Sequence, residues 1–362
     1  MDNERKLIVK YNQRIVGYLA ELKDNRIAFQ YDDEWLETGF SISPISLPLS
    51  SNVYINNNPA FDGLYGVFWD TLPDGWGQLL VQRKLLQYHI NYDQLSPLQK
   101  LALISSNGLG ALEYEPTKEL SVVTKHYDLD ELSHIISTVL NNQSNDDLDT
   151  LYSLGGSSGG ARPKAHITLN NQEWIIKFPC LTDSPNIGEE EYNLNMLAQK
   201  CGIQTAQCHL FPSKKCTGYF GSLRFDRKDQ QKIHTISLCG LLEVSHRMSL
   251  LDYGHLLHFT NIICSDKSNS YEAFRRMCFN VYAQNKDDHG KNFSFIYDEQ
   301  THSYWLSPAY DLTPTPHKFE HEMTVNHNGN PQDSDILQVA KDLNLSLTKC
   351  THILNHIKSI FK

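Results

Sequence analysis

Residues 285–311 hold the side chains of this sequence whose types and spacing could most readily do chemistry. Asp287 stands five residues before Asn292, and Asp311 follows 19 residues after Asn292, beyond two short apolar runs. One carboxylate could accept the proton of an attacking hydroxyl, while an amide oxygen and a second carboxylate could hold Mg²⁺ against a transferring phosphate. Taken alone, the segment also fits a polar surface loop without function.

A second chemical feature is the most glycine-rich part of the chain, residues 155–164. Four of the six residues from 155 to 160 are Gly, and their backbone N–H groups could turn toward an anion and cradle it. The loop does not meet the pattern G-x-x-x-x-G-K-[ST], because Ala161 stands where Lys is required, and it does not meet G-x-G-x-x-G. By itself it also fits a flexible turn.

Two further charged residues follow the glycine loop. Lys177 lies within an apolar strand pattern, thirteen residues after Lys164, where it could reach under the loop to hold phosphates. Glu191, on the helix that follows, is placed to orient that lysine. The alternatives are a lysine on the solvated face of a strand and an ordinary exposed acid beside Glu189 and Glu190.

The order of these features along the chain is more specific than any one of them. Protein kinases place a catalytic Asp five residues before a metal-binding Asn, and a second metal-binding Asp further on, after a Gly-rich loop and a lysine. A chance arrangement would rarely repeat all of these in the same order. The sequence therefore predicts an ATP- and Mg²⁺-dependent kinase.

Composition and charge limit the other classes of function. The chain has 362 residues, 40% of them hydrophobic, and 42 acidic against 32 basic residues give a net charge of -10. The length predicts two or three domains, and the acidity disfavours nucleic acid as a direct target. Eight scattered Cys, the polar start MDNERK and the lack of an apolar run of about 18 residues favour a cytoplasmic protein with reduced thiols and no membrane contact.

The elements that must position these residues can be traced along the chain. Residues 7–31 alternate as three antiparallel strands with turns at 12–14 and at Asp24-Asn25. Residues 61–88 have helical spacing with a break at Leu72-Pro73-Asp74-Gly75, and a helix over 96–106 is expected to end in the glycines of 107–110. This closes a first module near residue 115.

The second part of the chain begins with a polar helical stretch at 128–150. The runs AHITL and EWIIKF predict a hairpin joined at Asn170-Asn171, followed by a helix over 189–201. Helices dominate from 241 onward and include two at 333–344 and 347–361. The spacing of Cys201, Cys208, His209 and Cys216 fits no zinc pattern, and His317, His321 and His327 are interpreted as structural or surface residues.

These segments resemble the HipA-type kinases of bacterial toxin–antitoxin systems over nearly the whole chain. The matching segments are Leu72-Pro73-Asp74-Gly75, Ala161-Arg162-Pro163-Lys164, 175–179, Glu191-Tyr192 with Leu197-Ala198, Arg224-Phe225-Asp226-Arg227, 287–293 and Tyr310-Asp311. The resemblance implies an α+β fold, a two-lobed protein-kinase-like body with a small N-terminal β/α module and a mostly helical C-terminal lobe. The expected domains are the N-terminal HipA-type module (1–115), the kinase N-lobe with the Gly-rich loop (116–235) and the helical C-lobe with the catalytic loop (236–362).

The resemblance also implies roles for single residues. Asp287 would be the catalytic base, Asn292 and Asp311 the Mg²⁺ ligands, and Glu191 the residue that orients Lys177. The ATP contacts would come from Ser158, Gly159, Gly160, Ala161, Lys164, Lys177, the backbone at Leu223 and Phe225, His289, Asn292 and Tyr310. Ser157 or Ser158 would be autophosphorylated, and the added charge would repel ATP and eject the loop; the alternative for Ser157 is a small polar turn residue.

The activity implied by the resemblance is that of a Ser/Thr protein kinase toxin. Its substrate would be a translation factor such as an aminoacyl-tRNA synthetase, and its partner a small DNA-binding HipB-type antitoxin, through which alone the chain would contact DNA. A small-molecule kinase of the same fold is one alternative, because the catalytic residues indicate the phosphoryl donor and not the acceptor. Another is a transcriptional corepressor subunit with little kinase activity, favoured by the separate N-terminal module.

Overall fold

The computed structural model describes residues 5–23, 26–104, 108–118, 120, 128–141, 147–248, 251–315 and 317–362. The predicted Asp24-Asn25 turn, residues 105–107 of the expected helix end and residues 142–146 lie outside these ranges. The chain forms two compact units. The first combines Met1–Glu189 with His209–Thr235, and the second combines Glu190–Cys208 with Ile236–Lys362. Helices and sheets occur in both, which gives the predicted α+β class.

An antiparallel five-stranded sheet opens the first unit. Its strands are β1 (Lys6–Tyr11), β2 (Arg14–Glu21), β3 (Ile27–Tyr31), β4 (Tyr54–Ile55) and β5 (Leu112–Glu115), in the order β4-β3-β2-β1-β5. The turn between β1 and β2 places Asn12 and Gln13 at φ of 44° and 69°, a left-handed conformation that Asn tolerates well. Val9, Leu19 and Phe29 are fully buried, as the alternating pattern predicts.

Four helices belong to the same part of the first unit. They are α1 (Asp33–Thr38), α2 (Gly66–Trp69), α3 (Gly75–Leu86) and α4 (Pro97–Ala102). The break predicted between two helices is confirmed, because α2 ends before Leu72 and α3 begins at Gly75. The expected helix over 96–106 is shorter than predicted. It begins after the capping residue Ser96, whose hydroxyl accepts the backbone N–H of Gln99 at 3.3 Å, and it ends at Ala102.

A four-stranded sheet in the first unit carries the glycine loop and Lys177. Its strands are β6 (Lys164–Leu169), β7 (Gln172–Lys177), β8 (Cys208–Phe211) and β9 (Tyr219–Leu223), in the order β6-β7-β9-β8. Helices α5 (Leu129–Leu140) and α6 (Leu148–Gly155) share an apolar core with this sheet and with α3, through Leu80, Leu151 and Ile176. The predicted hairpin turn has Asn170 and Asn171 at φ of 51° and 61°. A short pair, β10 (Arg227–Lys228) and β11 (Gln231–Lys232), follows.

The second unit is mainly helical. Its helices are most of α7 (Ile187–Lys200), α8 (Leu238–Leu242), α9 (Tyr253–Ile263), α10 (Ser268–Ala283), α11 (Asp333–Asp342) and α12 (Leu347–Ile360). Its sheet consists of most of β12 (Thr235–Ser237), with β13 (Ser294–Asp298) and β14 (Ser303–Leu306), in that order. Helix α10 contacts α9, α11 and α12 and buries Phe274, Met277 and Phe279 completely. Residues 285–292 follow directly after the C-terminal end of this buried helix. No helix within the described residues is both long and apolar enough to cross a bilayer.

Candidate active site

The segment after α10 fixes the orientation of the first predicted metal ligand. The side-chain Nδ2 of Asn292 donates a hydrogen bond to the backbone carbonyl of Asp287 at 2.7 Å. Because a carboxamide carries its nitrogen and its oxygen on separate branches, this bond turns the Asn292 oxygen away from that carbonyl. The amide oxygen is thereby held in a defined orientation, as a cation ligand needs.

Asp311, the second predicted metal ligand, follows strand β14. Its backbone has φ of 57°, a left-handed conformation that is uncommon outside Gly and in which Asp and Asn are enriched. Asp311 and Asn292 line the same small cavity, together with Tyr310. The structure thus brings together two oxygen-bearing side chains that are 19 residues apart in sequence.

Tyr310 is bonded to the backbone of residues 285–292, here called the catalytic segment because they hold the predicted base. Its hydroxyl donates to the carbonyl of Lys291 at 2.7 Å and lies 2.6 Å from the hydroxyl of Ser294. These bonds connect the segment before Asp311 to the segment that carries Asn292. The predicted contact of Tyr310 with a nucleotide stays a prediction.

The predicted base, Asp287, contacts a residue that the sequence interpretation missed. The ammonium nitrogen of Lys318 lies 2.5 Å from Asp287 Oδ1 and 2.9 Å from Glu322 Oε1. Burial acts to lower the pKa of Lys318, but the bonds to the two carboxylates outweigh it and raise that pKa above its ordinary value. Lys318 therefore stays charged beside Asp287.

The neighbouring Asp288 anchors this segment from the inside. It is 1% exposed, and its carboxylate accepts bonds from Tyr253 Oη at 2.7 Å and from the backbone N–H of Glu322 at 3.0 Å, with His321 Nδ1 also at 2.7 Å. Burial, with the charge of Asp288, raises the pKa of Tyr253 well above its ordinary value, so its hydroxyl stays a donor. His321 is buried in this network.

His289 lies between the predicted base and the predicted metal ligand. Its Nδ1 is buried and has no hydrogen-bond partner among the described residues. Its ring centre is 5.4 Å from that of His246. The predicted contact of His289 with the nucleotide stays a prediction.

The glycine loop follows directly from helix α6. Gly160 has φ of 82°, a left-handed conformation that other residues rarely adopt, so glycine suits the position; its Cα lies close to the Lys164 ammonium nitrogen. That nitrogen donates to the carbonyl of Gly159 at 2.5 Å. Ser157 and Ser158 are 7% and 2% exposed, so neither predicted autophosphorylation site is accessible in this arrangement.

The beginning of helix α3 forms a seat for the loop, made of Asp74, Gly75, Trp76 and Gly77. The backbone N–H of Gly160 donates to the carboxylate of Asp74, and the backbone N–H of Trp76 donates to the Gly160 carbonyl at 2.9 Å. A Cβ at Gly75 would lie 2.5 Å from the Gly160 oxygen.

The close approach continues one turn further along this loop seat. A Cβ at Gly77 would lie 2.2 Å from the Ser158 oxygen, so only glycine allows the two backbones to come so near. Asp74 occupies the N-cap position of α3, yet its side chain makes no cap bond to the helix. Its carboxylate serves the loop instead, a function that the sequence interpretation missed.

Lys164 begins strand β6, Lys177 ends strand β7, and the two lysines lie opposite each other in this hairpin. Lys164 and Lys177 are direct partners in the register of β6 and β7, and directly opposite residues of an antiparallel pair share one face of the sheet. Lys164 is 9% exposed, and Lys177 lies 5.7 Å from the ring centre of Phe220. Lys177 is itself partly buried, and its predicted place under the glycine loop stays a prediction.

Glu191, the predicted orienting acid, is 2% exposed in helix α7. The alternative of an ordinary exposed acid is therefore wrong. Burial raises the pKa of the nearby Cys208 thiol, and the charge of Glu191 adds to the effect. Glu191 belongs to the second unit and Lys177 to the first, so their pairing stays a prediction.

The predicted adenine contacts flank a buried arginine. Leu223 ends strand β9, and Phe225 is two residues further, partly buried. Between them Arg224 is 2% exposed and donates to both carboxylate oxygens of Asp226, at 2.9 and 2.7 Å, and to the carbonyl of Gly108 at 2.7 Å. These bonds fix the Arg224 side chain, and the predicted adenine contacts of Leu223 and Phe225 stay predictions.

The same network corrects the interpretation of the glycines near residue 110. The Gly110 N–H donates to Asp226 at 2.8 Å, and its carbonyl accepts from Arg227 at 2.8 Å. The segment 108–110 is therefore a docking loop for the 224–227 motif and not the end of a helix. Burial would raise the pKa of Asp226, but Arg224 and Arg227 hold it well below its ordinary value.

Comparison with protein families identifies both parts of the chain. The HipA N-terminal domain matches residues 7–115, and the HipA-like C-terminal domain matches residues 156–362. The chain belongs to the HipA family. The second match includes most of the glycine loop, Lys164, Lys177 and residues 285–292. The resemblance found in the sequence is therefore confirmed.

Two relatives of this HipA-family chain come from Sinorhizobium fredii (strain NBRC 101917 / NGR234). The protein named "Putative kinase Y4dM" is 29% identical over 166 residues, 42% of this chain and 40% of its own length. "Putative kinase Y4mE" is 25% identical over 351 residues, 86% of this chain and 77% of its own length. The chain thus spans less than half of the first relative.

A solved structure with the HipA fold covers almost the whole chain. It is the HipA, HipB and operator DNA complex of the Shewanella oneidensis MR-1 toxin–antitoxin system, similar with a TM-score of 0.74 and 17% identity over 98% of this chain and 88% of that chain. This likeness shows the fold. The prediction of an α+β, kinase-like HipA fold is confirmed.

Proposed function

We propose that this HipA-family protein is a kinase that transfers the γ-phosphoryl group of ATP to a Ser or Thr hydroxyl of a protein. The observation that carries the proposal is the bond from Asn292 to the Asp287 carbonyl at 2.7 Å, which orients the Asn292 amide oxygen, in a cavity that Asp311 also lines. An amide oxygen and a carboxylate are hard oxygen donors of the type that Mg²⁺ prefers. Bound there, Mg²⁺ would neutralise charge on the phosphates.

In this proposal Asp287 acts as the general base. Its side chain is 39% exposed, so an acceptor hydroxyl can approach it from solvent. The carboxylate would take the hydroxyl proton as the oxygen–phosphorus bond forms and the bond to ADP breaks. A Ser/Thr acceptor fits this chemistry because such a hydroxyl needs a base at neutral pH.

The glycine loop would bind the phosphates of the same nucleotide. Its backbone amides, with Lys164 and Lys177 on one face of the hairpin, supply the positive potential that an otherwise acidic chain needs. Autophosphorylation at Ser157 or Ser158 would require the loop to leave its seat on α3, because both serines are buried. The added charge would then oppose both reseating and ATP binding.

The biological role that we propose is that of a toxin in the cytoplasm. The fold neighbour was solved with HipB and operator DNA, and a small basic antitoxin would suit a chain of net charge -10 that has little electrostatic attraction for DNA of its own. Contact with DNA would pass through that antitoxin. The substrate would be a translation factor such as an aminoacyl-tRNA synthetase.

Incubation with labelled ATP and Mg²⁺ tests the kinase proposal. The wild-type chain should incorporate label as phosphoserine, and Asp287→Ala or Asp311→Ala should reduce incorporation by at least about 10²-fold. Asp266→Ala, which removes an acid outside the proposed site, serves as the matched control. Label uptake that persists in the first two variants would contradict the proposal. Label in small molecules of a lysate, but in no protein, would instead identify a small-molecule kinase.

A further inference from the structure

The segment at residues 317–322, here called the covering segment, is fastened to the catalytic segment through its backbone. The ammonium of Lys286 donates to the carbonyls of Lys318 and Phe319 at 3.1 and 3.3 Å. The backbone N–H of Glu322 donates to the buried Asp288 at 3.0 Å. These bonds fix the covering segment on both sides of Asp287.

This fastening changes the strength of the Lys318–Asp287 contact. Ion pairs between flexible exposed side chains contribute little, because ordering both side chains costs entropy. Here the backbone of Lys318 is already held by Lys286, and its side chain is only 29% exposed. The 2.5 Å contact with Asp287 Oδ1 is therefore a fixed feature of the catalytic segment.

We infer that Lys318 is a positioning residue for phosphoryl transfer, acting through Asp287. The inference rests on the proposed kinase function. With Oδ1 bound to the ammonium, the carboxylate can turn only by breaking that bond, so Oδ2 is the oxygen that faces an incoming hydroxyl. The proton moves from the acceptor hydroxyl to Oδ2 while the acceptor oxygen bonds to phosphorus and ADP leaves.

The alternative role for the same contact is inhibition. A lysine that merely covered the base would compete with the acceptor, and its removal would speed the reaction. The two roles therefore predict changes of opposite sign. The covering segment also has backbone bonds that do not involve the Lys318 ammonium, so substitution of this side chain should leave it in place.

The test compares Lys318→Met and Lys318→Arg with wild type in the full chain. The measured quantities are the rate of self-labelling at saturating ATP and Mg²⁺ and the ATP concentration that gives half of this rate. We expect Met to lower the saturated rate about 10- to 100-fold, since a misoriented base is costly, and to change the half-saturating ATP less than about 2-fold. Arg should recover the rate to within about 5-fold of wild type.

Lys349→Met provides a matched control, because this lysine lies over the ring of Tyr271 at 5.2 Å, outside the proposed site. An unchanged or faster rate in Lys318→Met would overturn the inference, and so would a loss that appears only in the half-saturating ATP. A wild-type chain that neither labels itself nor consumes ATP would overturn the kinase proposal itself, and this inference with it. Wild-type activity therefore separates the two failures.

Discussion

The Asp74 carboxylate is hydrogen-bonded to a backbone N–H of the glycine loop, where it would compete with a nucleotide phosphate for the same donor. It accepts the N–H of Gly160 in the glycine loop, and it makes no cap bond to its own helix. Asp74→Asn keeps an oxygen that can accept the same bond but removes the negative charge. We therefore predict that Asp74→Asn binds ATP more tightly than wild type.

Two contributions to this change have the same sign. A hydrogen bond to a charged group stabilises by about 1.5 to 3 kcal/mol, and one between neutral groups by about 0.5 to 1.5 kcal/mol. Breaking the bond from the Gly160 N–H to residue 74 should therefore cost about 1 kcal/mol less in Asp74→Asn than in wild type. A phosphate within about 4 Å of the carboxylate is repelled by about 1 kcal/mol in a water-like environment. Together they predict a gain of about 1 to 2 kcal/mol, or about 5- to 30-fold in Kd.

The assay is a titration of the full chain with a fluorescent ATP analogue at low and at moderate salt. Asp62→Asn is the matched control, because it removes the same charge from an exposed position whose carboxylate lies 3.5 Å from Lys100. The control should bind as wild type does. The advantage of Asp74→Asn should shrink at the higher salt concentration, since part of it is electrostatic.

Unchanged or weaker binding by Asp74→Asn would refute this reasoning. It would mean that the carboxylate holds the loop in the shape that binds phosphate and does not compete with phosphate. Asp74→Ala would then weaken binding further, because it removes the acceptor as well as the charge.

The remaining predictions concern the buried network around Asp226 and the loop seat. Arg224→Met should lower the free energy of unfolding by up to about 3 kcal/mol in urea denaturation, the lower end for a broken buried ion pair, because Arg227 still pairs with the buried Asp226. Arg162→Met, in a partly exposed pair, should cost below about 1 kcal/mol. The folded-state pKa of Asp226 is depressed, so its stabilisation should be complete above about pH 4 and fall as the pH drops further; a urea midpoint insensitive to pH below 4 would contradict this. Gly77→Ala should displace the loop from its seat, because the new Cβ would lie 2.2 Å from the Ser158 oxygen, and unchanged amide exchange across the loop would refute it.

Local patterns predicted much of the fold because each reports the neighbours of a residue in sequence. The hairpin at Asn170-Asn171 and the helix break before Gly75 depend on turn residues and on spacing within a few positions, and both are present. The same holds for the spacing of Asp287 and Asn292, which a single side-chain bond now explains. Alternation and turn chemistry need no knowledge of the rest of the chain.

Contacts between distant segments could not be predicted in this way. Asp74 and Gly160 are 86 residues apart, and Lys318 and Asp287 are 31 apart. No periodicity connects such pairs, because tertiary packing alone brings them together. One weak signal existed for Asp74, which follows Pro73 at the start of a helix where an acidic residue ordinarily caps its own backbone.

The glycines at 108–110 show how one local pattern can serve two structures. Glycine after an apolar helical run is typical of a helix end. Here, however, the carbonyls of Gly108 and Gly110 accept bonds from arginines more than 110 residues away in the sequence. The two cases have the same local sequence. They differ only in the donor that the folded chain supplies.

The register of the β6–β7 hairpin limits how the length of this chain can vary. Lys164 and Lys177 share a face only because a two-residue turn separates strands whose side chains alternate. Loss or gain of one residue in either strand would turn one lysine toward the apolar face of the sheet, while the other lysine kept its orientation. Among descendants of this sequence, insertions should therefore accumulate in the outer loops, while the distance from Lys164 to Lys177 stays constant.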